Sequence, residues 1–254
     1  MILEDQKAIV TGSGDGIGKA IALRLSEEGA DIGVVDINIE ASKEVSEEIR
    51  RKGRGALPLG ADVGNRDEVR NAVDTVLKEW GQIDILVNNA GIALMKNGVK
   101  VPLVDMSYEE WDRVIQVNLT GMFNFCKACL PSMMARRYGK IVNISSVAGK
   151  TGGFAAPIHY TASKAGVIGF TKSLAIEAAP YGINANVVMP SRVETKLGLS
   201  SPQEVLNKRL SQIPLGRFGT PGDIAEAVLF LSNHRASSWI TGATLNLSGG
   251  ALMD

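Results

Sequence analysis

The sequence predicts an α/β fold in which one doubly wound, parallel sheet of seven strands is covered by helices on both faces. Seven short apolar runs, most of them rich in β-branched residues, are separated by longer segments whose apolar residues recur at helical spacing. A glycine-rich turn directly follows the first run, which is typical of open sheets that bind ligands at the carboxyl ends of their strands. The chain has 254 residues, 45% of them hydrophobic, and we expect a single domain over residues 1–254.

The first half of the chain supplies four predicted strands. Each is short and apolar, and the segments between them place charged residues on one helical face and apolar residues on the other. The predicted order is strand Lys7–Val10, helix Lys19–Glu28, strand Asp31–Asp36, helix Ile39–Lys52, strand Ala56–Leu59, helix Arg66–Trp80 and strand Ile83–Val87.

The second half continues the alternation with longer helices. The predicted order is helix Glu109–Arg137, strand Lys140–Ile144, helix Ile158–Ala178, strand Ile183–Val188, helix Asp223–Leu231 and strand Thr244–Leu247. Residues 191–215 follow a strand and contain several Gly, Pro and Ser residues. Because loops after strand ends border the ligand site in such sheets, this segment is predicted to be a substrate lid.

Composition excludes several classes of protein. The 27 basic and 27 acidic residues balance, without the clustered basic excess of a nucleic-acid surface. The longest apolar runs, such as residues 228–231, are far shorter than the ~20 residues of a membrane helix. The amino-terminal residues 1–5 lack a basic region followed by an apolar one. We therefore expect a cytoplasmic protein that binds neither nucleic acid nor membrane.

The sulfur and imidazole groups do not form a recognisable metal or redox motif. Cys126 and Cys129 are spaced as Cys-x-x-Cys, but they lie inside a predicted helix rather than at its start. They are expected to pack in the core. His159 and His234 are too few for a zinc site, and we expect no metal ion.

The glycine-rich turn indicates a phosphate site. Gly12, Gly16 and Gly18 follow the first strand and open the first helix, where backbone amides and the helix dipole can hold a pyrophosphate. Their spacing differs from Gly-x-Gly-x-x-Gly, and a Walker A motif is excluded because Ala20 follows Lys19. A tight structural turn remains the alternative.

Asp36 ends the second predicted strand, 18 residues beyond Gly18. An acid at about this distance hydrogen-bonds a ribose 2′-hydroxyl and repels a 2′-phosphate. Neither Asp15 in the turn nor Ile37 after the acid offers a cation for such a phosphate. These residues predict NAD rather than NADP, the alternative being an exposed aspartate at a strand end.

Tyr160 and Lys164 are four residues apart, so a helix would place them on one face. A neighbouring cation favours tyrosinate and lowers the pKa of the phenol towards the range of a general acid or base. Ser145 and Ser146 end a strand, where a hydroxyl could bond the same substrate oxygen. Serine hydrolysis is disfavoured because the Gly-x-Ser-x-Gly elbow is absent, and a surface helix pair is the alternative for Tyr160 and Lys164.

Together these residues resemble the short-chain dehydrogenase/reductase family over essentially the whole chain. The family's elements recur here in order: Thr11-Gly12-x-x-x-Gly16-x-Gly18, Asp62-Val63, Asn88-Asn89-Ala90-Gly91, Asn118, Ser146, Tyr160-x-x-x-Lys164 and Pro190. The resemblance implies a Rossmann-type fold, hydride transfer between nicotinamide and a secondary alcohol or ketone, and a homotetramer. Two departures are the spacing of 14 between Ser146 and Tyr160 and the presence of Ser191 where a glycine usually follows Pro190.

The resemblance also implies residue roles. Tyr160 would exchange a proton with the substrate, Lys164 would lower the tyrosine pKa and hold the nicotinamide ribose, and Ser146 would polarise the carbonyl. Asn118 would hold a helix kink and a proton-relaying water. The cofactor would be bound by Gly12, Asp15, Gly16, Ile17, Gly18, Asp36, Ile37, Asp62, Val63, Asn89, Ala90, Gly91, Tyr160, Lys164, Pro190, Val193 and Thr195.

The expected function is therefore an NAD-dependent oxidoreductase of a small alcohol or ketone. The pattern also resembles 3-oxoacyl-acyl-carrier-protein reductases, which typically prefer NADPH and carry basic residues where this chain has Asp15 and Asp36. A reductase of that kind is the first alternative. A cofactor-binding sensor that has lost catalysis is the second, although such a protein would not need Asn118, Ser146, Tyr160 and Lys164 together.

Overall fold

Seven parallel strands form one sheet in the computed structural model, which describes residues 1–96, 98–153, 156–196, 198–199 and 203–253. The strands are β1 (Lys7–Thr11), β2 (Asp31–Asp36), β3 (Ala56–Gly60), β4 (Ile85–Asn88), β5 (Gly139–Ile144), β6 (Ile183–Pro190) and β7 (Thr244–Leu247). Their spatial order is β3-β2-β1-β4-β5-β6-β7, and every adjacent pair is parallel. The predicted fold class is confirmed.

Helices connect the strands. They are α1 (Gly16–Glu27), α2 (Ile39–Arg51), α3 (Arg66–Trp80), α4 (Tyr108–Ile115), α5 (Gly121–Arg136), α6 (Ala148–Thr151), α7 (Ile158–Ala178), α8 (Gln203–Leu210), α9 (Pro221–Ser232) and α10 (His234–Ser237). Side chains fix where several of them start. Asp15 and Asn38 accept hydrogen bonds from the first amides of α1 and α2, and Ser107 with Glu110 forms a capping box on α4.

The predicted single helix Glu109–Arg137 is wrong in one respect. A π-helical segment, Gln116–Thr120, separates α4 from α5. Such a segment inserts a wider turn, which the periodicity of apolar residues does not reveal. The segment contains Asn118, the residue expected at a helix kink.

Two apolar layers cover the sheet. One face is packed by α3, α5 and α7, the other by α1, α2 and α9. Because both faces are covered, β4 and β5 are buried along their whole length, as expected for a parallel sheet. Cys126 and Cys129 are buried free thiols in the first of these layers, as predicted.

The strand order reverses between β1 and β4, and the carboxyl ends of the strands there border a crevice. The segments after β1, β4, β5 and β6 all emerge at this edge. The predicted lid, residues 191–215, contains α8, and residues 197 and 200–202 of it lie outside the described residues. No helix in the described part of the chain is long and apolar enough to span a membrane.

Candidate active site

The glycine-rich turn after β1 requires its glycines for backbone reasons. Gly12 and Gly16 have φ angles of +62° and +55°, a conformation that favours glycine. A Cβ atom on Gly18 would lie 2.0 Å from the carbonyl oxygen of Gly12, so α1 can approach the turn only at a glycine. Ile17 lies in the first turn of α1, whose amino-terminal end faces the crevice edge. This arrangement fits a bound pyrophosphate.

Asp36 lies over this turn at the end of β2. Its Oδ2 accepts a hydrogen bond from the Gly14 amide at 2.9 Å, and its Oδ1 accepts one from Asn38 at 2.9 Å. A Cβ atom on Gly14 would lie 2.9 Å from the same Oδ2, so Gly14 also needs to be glycine, which the motif spacing did not indicate. Ile37, the next residue, is exposed. Each carboxylate oxygen retains acceptor capacity for a ribose hydroxyl.

Asp15 has an ion-pair partner that sequence reasoning missed. Its carboxylate lies 2.6 Å from the ammonium of Lys196, in the predicted lid, and this contact lowers the pKa of Asp15. Thr195 lies beside Gly16, since its Cγ2 would be 3.5 Å from a Cβ there. The beginning of the lid therefore lies against the glycine-rich turn. No local pattern connects residues 181 positions apart.

The segment after β4 braces the turn. Thr11 Oγ1 accepts hydrogen bonds from the amides of Asn89 and Ala90 at 3.0 and 3.1 Å. The Asn89 side chain donates to the carbonyl oxygens of Thr11 and Gly12, both at 3.0 Å. Asn89 thus stabilises the glycine-rich turn with its amide group.

Asp62 and Val63 follow β3 on the other side of the crevice. Asp62 accepts hydrogen bonds from the Gly64 amide and from Arg113 of α4, at 2.9 and 2.8 Å. Val63 packs against Gly121, where a Cβ would come within 2.5 Å of it. Asp62 and Val63 are thereby fixed at the edge where the resemblance places an adenine.

Ser146, Tyr160 and Lys164 meet at the carboxyl end of β5. Ser146 follows the strand, and Tyr160 and Lys164 lie in the first two turns of α7. Lys164 is buried, donates to the carbonyl oxygen of Ile144 at 2.8 Å, and has its Nζ 5.8 Å from the centre of the Tyr160 ring. A Cβ on Gly91 would lie 3.3 Å from the same Nζ, so the segment after β4 reaches this cluster.

The pKa directions differ from the expectation that Lys164 lowers the pKa of Tyr160. Burial raises the pKa of Tyr160, and two weaker effects, a hydrogen bond with Ser146 and the charge of Arg192, lower it. Burial also lowers the pKa of Lys164 to about 8, because the ammonium is desolvated. Desolvation is thus the dominant effect on both groups, and sequence spacing cannot show it.

Asn118 connects three elements. Its side chain accepts from the Ile92 amide at 2.8 Å and donates to the Ile92 carbonyl at 2.9 Å and to Ser163 Oγ at 3.0 Å. A cavity of about 10 Å³ beside Asn118 and Thr11 is roughly the space that one water molecule occupies. The π-helical segment is therefore tied both to α7 and to the chain after β4.

Pro190 and Val193, two further predicted residues, lie at and just beyond the end of β6. Pro190 ends the strand, and its carbonyl oxygen accepts from the Val147 amide at 3.0 Å, beside Ser146. Val193 is buried and forms a parallel bridge with Gly219. Two hydroxyls, a buried ammonium and the glycine-rich turn thus share one edge of the sheet. The set can exchange a proton with a ligand oxygen.

Comparisons with known proteins agree with this geometry. A family model described as "Enoyl-(Acyl carrier protein) reductase" matches residues 12–251. The chain is 42% identical over 252 residues to the 3-oxoacyl-[acyl-carrier-protein] reductase of Staphylococcus aureus, covering 98% of each, and 40% identical over 253 residues to that of Thermotoga maritima, covering all of both. A crystal structure of a 3-oxoacyl-[acyl-carrier protein] reductase with bound NAD from Brucella melitensis has a TM-score of 0.91 at 39% identity. It covers 99% of this chain and 92% of that one.

Proposed function

Because the chain belongs to the short-chain dehydrogenase/reductase family, we propose that it interconverts a 3-oxoacyl and a 3-hydroxyacyl compound with NAD(H). As a member of this family, the protein is an oxidoreductase that acts on alcohol or ketone groups and uses a nicotinamide dinucleotide. One observation carries the catalytic assignment: Tyr160 hydrogen-bonds Ser146, and the centre of its ring lies 5.8 Å from the ammonium of the buried Lys164. The relatives' names support the 3-oxoacyl substrate, which was the alternative in the sequence-based expectation and is favoured over an unspecified alcohol.

In reduction, Tyr160 donates its phenolic proton to the substrate oxygen, and Ser146 donates a hydrogen bond to the same oxygen. In oxidation, the Tyr160 phenolate accepts the hydroxyl proton. A bound nicotinamide supplies or accepts the hydride at the substrate carbon. Since burial raises the pKa of Tyr160, its phenol is protonated at neutral pH, which suits the reductive direction.

Lys164 and Asn118 have supporting roles in this proposal. The Lys164 ammonium is anchored on the Ile144 carbonyl and has further donors for the hydroxyls of a nicotinamide ribose. Asn118 is a positioning residue, because it fixes Ile92 and Ser163 around the cluster. The nearby cavity supports a water between the buried polar groups.

The rest of the cofactor is assigned to the crevice. The turn from Gly12 to Gly18 would hold the pyrophosphate, and Asp62 and Val63 would flank the adenine. Asn89, Ala90 and Gly91 would lie along the middle of the cofactor. Pro190, Val193 and Thr195 would close the nicotinamide end, at the base of the lid.

Asp36 supports NAD rather than NADP. Its carboxylate is fixed by Gly14 and Asn38 at the position where a ribose 2′-group is recognised. A 2′-phosphate there would meet a negative charge, and Asp36 has no ion pair with a lysine or arginine in the described part of the chain. The two lysines at the turn are already paired, Lys196 with Asp15 and Lys19 with Glu48.

A second candidate is the NAD-dependent oxidation of another secondary alcohol, such as a polyol. Asp15 and Asp36 favour this second candidate. The 3-oxoacyl reductases that the chain resembles typically carry basic residues at these two positions and prefer NADPH. The same catalytic residues would serve in the opposite direction.

The test is a screen at 340 nm. The purified protein is given NADH or NADPH with 3-oxoacyl thioesters and 3-oxo acids, and NAD or NADP with hydroxyacyl compounds, polyols, sugars and hydroxysteroids. We expect turnover of 3-oxoacyl or 3-hydroxyacyl compounds with the unphosphorylated cofactor. Activity confined to NADPH would contradict the role of Asp36. Absence of turnover with all four cofactors, despite NADH binding, would indicate a sensor.

A further inference from the structure

Side chains from the π-helical segment and from α5 hold the backbone of the loop at residues 62–64, which follows β3. Gln116 donates a hydrogen bond to the carbonyl oxygen of Gly64. The buried Asn124 donates one to the carbonyl oxygen of Val63 at 3.0 Å. The backbone of this loop therefore has anchors of its own, apart from any ion pair.

Arg113 of α4 contacts a side chain of the same loop instead of its backbone. Its Nη1 lies 2.8 Å from Asp62 Oδ2, while Asp62 Oδ1 accepts a hydrogen bond from the Gly64 amide at 2.9 Å. With both oxygens bonded, the plane of the carboxylate is fixed. The Arg113 and Asp62 side chains are 43% and 26% exposed, and an ion pair of that exposure adds little to stability. Stabilisation of the fold therefore does not explain the contact.

The Asp62 carboxylate keeps hydrogen-bonding capacity after these two contacts. A carboxylate has about four acceptor sites, and each Asp62 oxygen uses one of its own here. Because part of the side chain is exposed at the crevice edge, the remaining sites are accessible to a ligand. The fixed carboxylate is thus an acceptor of defined orientation for a donor group on that ligand.

The base of the cofactor supplies such a donor. The proposed function assigns adenine to the edge at Asp62 and Val63, and Val63 is 7% exposed and apolar. Adenine carries an exocyclic amino group, which donates hydrogen bonds, whereas hypoxanthine carries an oxygen, an acceptor, on the same carbon. A carboxylate binds the amino group and leaves the oxygen without a partner, so the two bases differ in affinity.

We propose that Arg113 is a positioning residue that sets the choice of cofactor base. By fixing the Asp62 carboxylate at the crevice edge, it makes the site select adenine over a base with an oxygen at that position. This rests on the placement of the cofactor in the proposed function. Without Arg113 the carboxylate is free to rotate, and its acceptor is no longer preorganised for the amino group. Helix α4 thereby takes part in cofactor recognition, although the sequence pointed to none of its residues.

The experiment compares two cofactors that differ only in the base. The Kd values of NADH and of reduced nicotinamide hypoxanthine dinucleotide are measured by the fluorescence of the dihydronicotinamide, which both contain. For the wild type we expect NADH to bind about three- to tenfold more tightly, the effect of one hydrogen bond to a partly exposed charge. Arg113→Met should lower this ratio to about twofold or less, mainly by weakening the binding of NADH. Arg113→Lys should restore part of the ratio.

Arg70→Met is the matched control. Arg70 lies in α3, and its Nη2 is 3.2 Å from Asp67 Oδ1, so this variant also breaks an exposed pair of arginine and aspartate. It should keep the wild-type ratio. A purely structural role of Arg113 would weaken both cofactors equally, so the ratio of the two Kd values separates recognition from folding.

Several results would overturn the proposal. One is that the wild type binds both cofactors equally well. Another is that Arg113→Met keeps the wild-type ratio, which would identify Arg113 as a support of the loop alone. A third is that Arg70→Met lowers the ratio as far as Arg113→Met does. Binding of neither cofactor by the wild type would reject the proposed function and this inference with it, whereas binding without discrimination rejects only the inference.

Discussion

At the residue scale, Asp36 illustrates how one side chain serves both the fold and the proposed specificity. Its carboxylate accepts a hydrogen bond from the Gly14 amide and so holds the glycine-rich turn. The same carboxylate would accept from a ribose hydroxyl and repel a phosphate. A substitution at this position therefore tests cofactor choice directly.

We predict that Asp36→Ala narrows the preference for NAD over NADP by about 1–3 kcal/mol, the scale of a lost charge-assisted hydrogen bond. The measurement is the ratio of kcat/KM for the two cofactors. Glu44→Ala, which removes an exposed acid from α2, is the control and should leave this ratio unchanged. An unchanged ratio in Asp36→Ala would show that another group discriminates.

The sequence predicted some residues of the cluster and missed others for a physical reason. Tyr160 and Lys164 share a helix face, so their four-residue spacing was sufficient. Lys196 contacts Asp15, and the charge of Arg192 lowers the pKa of Tyr160. Both pairs are far apart in the chain, so no local pattern encodes them. The pKa direction of Tyr160 likewise depends on burial, which becomes known only in the fold.

At the element scale, Asn118 connects the π-helical segment to the chain after β4. The Asn118 side chain accepts a hydrogen bond from the Ile92 amide and donates one to the Ile92 carbonyl oxygen. Periodicity predicted one helix over Glu109–Arg137 because the apolar pattern continues through the segment. The segment presents Asn118 to a contact 26 residues away in the chain, which no local periodicity encodes.

Asn118→Leu should therefore leave the backbone groups of Ile92 without partners. We expect the free energy of unfolding to fall by about 1–3 kcal/mol, the usual effect of unsatisfied partly buried groups. Urea denaturation followed by circular dichroism measures it. Asn71→Leu, on the exposed face of α3, is the control, and equal stability of the two variants would contradict the role of Asn118.

At the scale of the whole molecule, the parallel sheet was predictable because strands and helices alternate along the chain. The burial of a charged lysine, Lys140, within this sheet was not predictable from the sequence. Lys140 of β5 is 1% exposed and donates to Asn184 Oδ1 at 2.7 Å, and burial lowers its pKa to about 8. The unfolded chain, with a lysine pKa of about 10.4, binds more protons between these two values.

The stability of the protein relative to Lys140→Met should consequently rise with pH over that window. The gain reaches at most about 3 kcal/mol above the unfolded pKa and is lost again as the pH falls through about 8. Urea unfolding of both proteins at several pH values measures the difference. Lys172→Met removes an exposed lysine and serves as the control, whose difference should stay constant. A flat difference for Lys140→Met would mean that its ammonium remains solvated.

Assembly is a second property of the whole molecule. Large apolar side chains are exposed in the carboxyl-terminal part of the chain, among them Phe230, Trp239 and Met253. Exposed apolar surface of this kind is typical of subunit contacts. We predict a homotetramer. Size-exclusion chromatography with light scattering should give four times the chain mass at micromolar protein, and a monomer would contradict the expectation.

The central claim, proton transfer by Tyr160, is tested most directly by Tyr160→Phe, which removes the hydroxyl and keeps the ring. The paired measurement is turnover at 340 nm and the Kd for NADH by fluorescence, on wild type and variant. The account predicts that turnover is abolished while NADH binding stays nearly intact. Substantial turnover in Tyr160→Phe would contradict it and place the proton donor elsewhere.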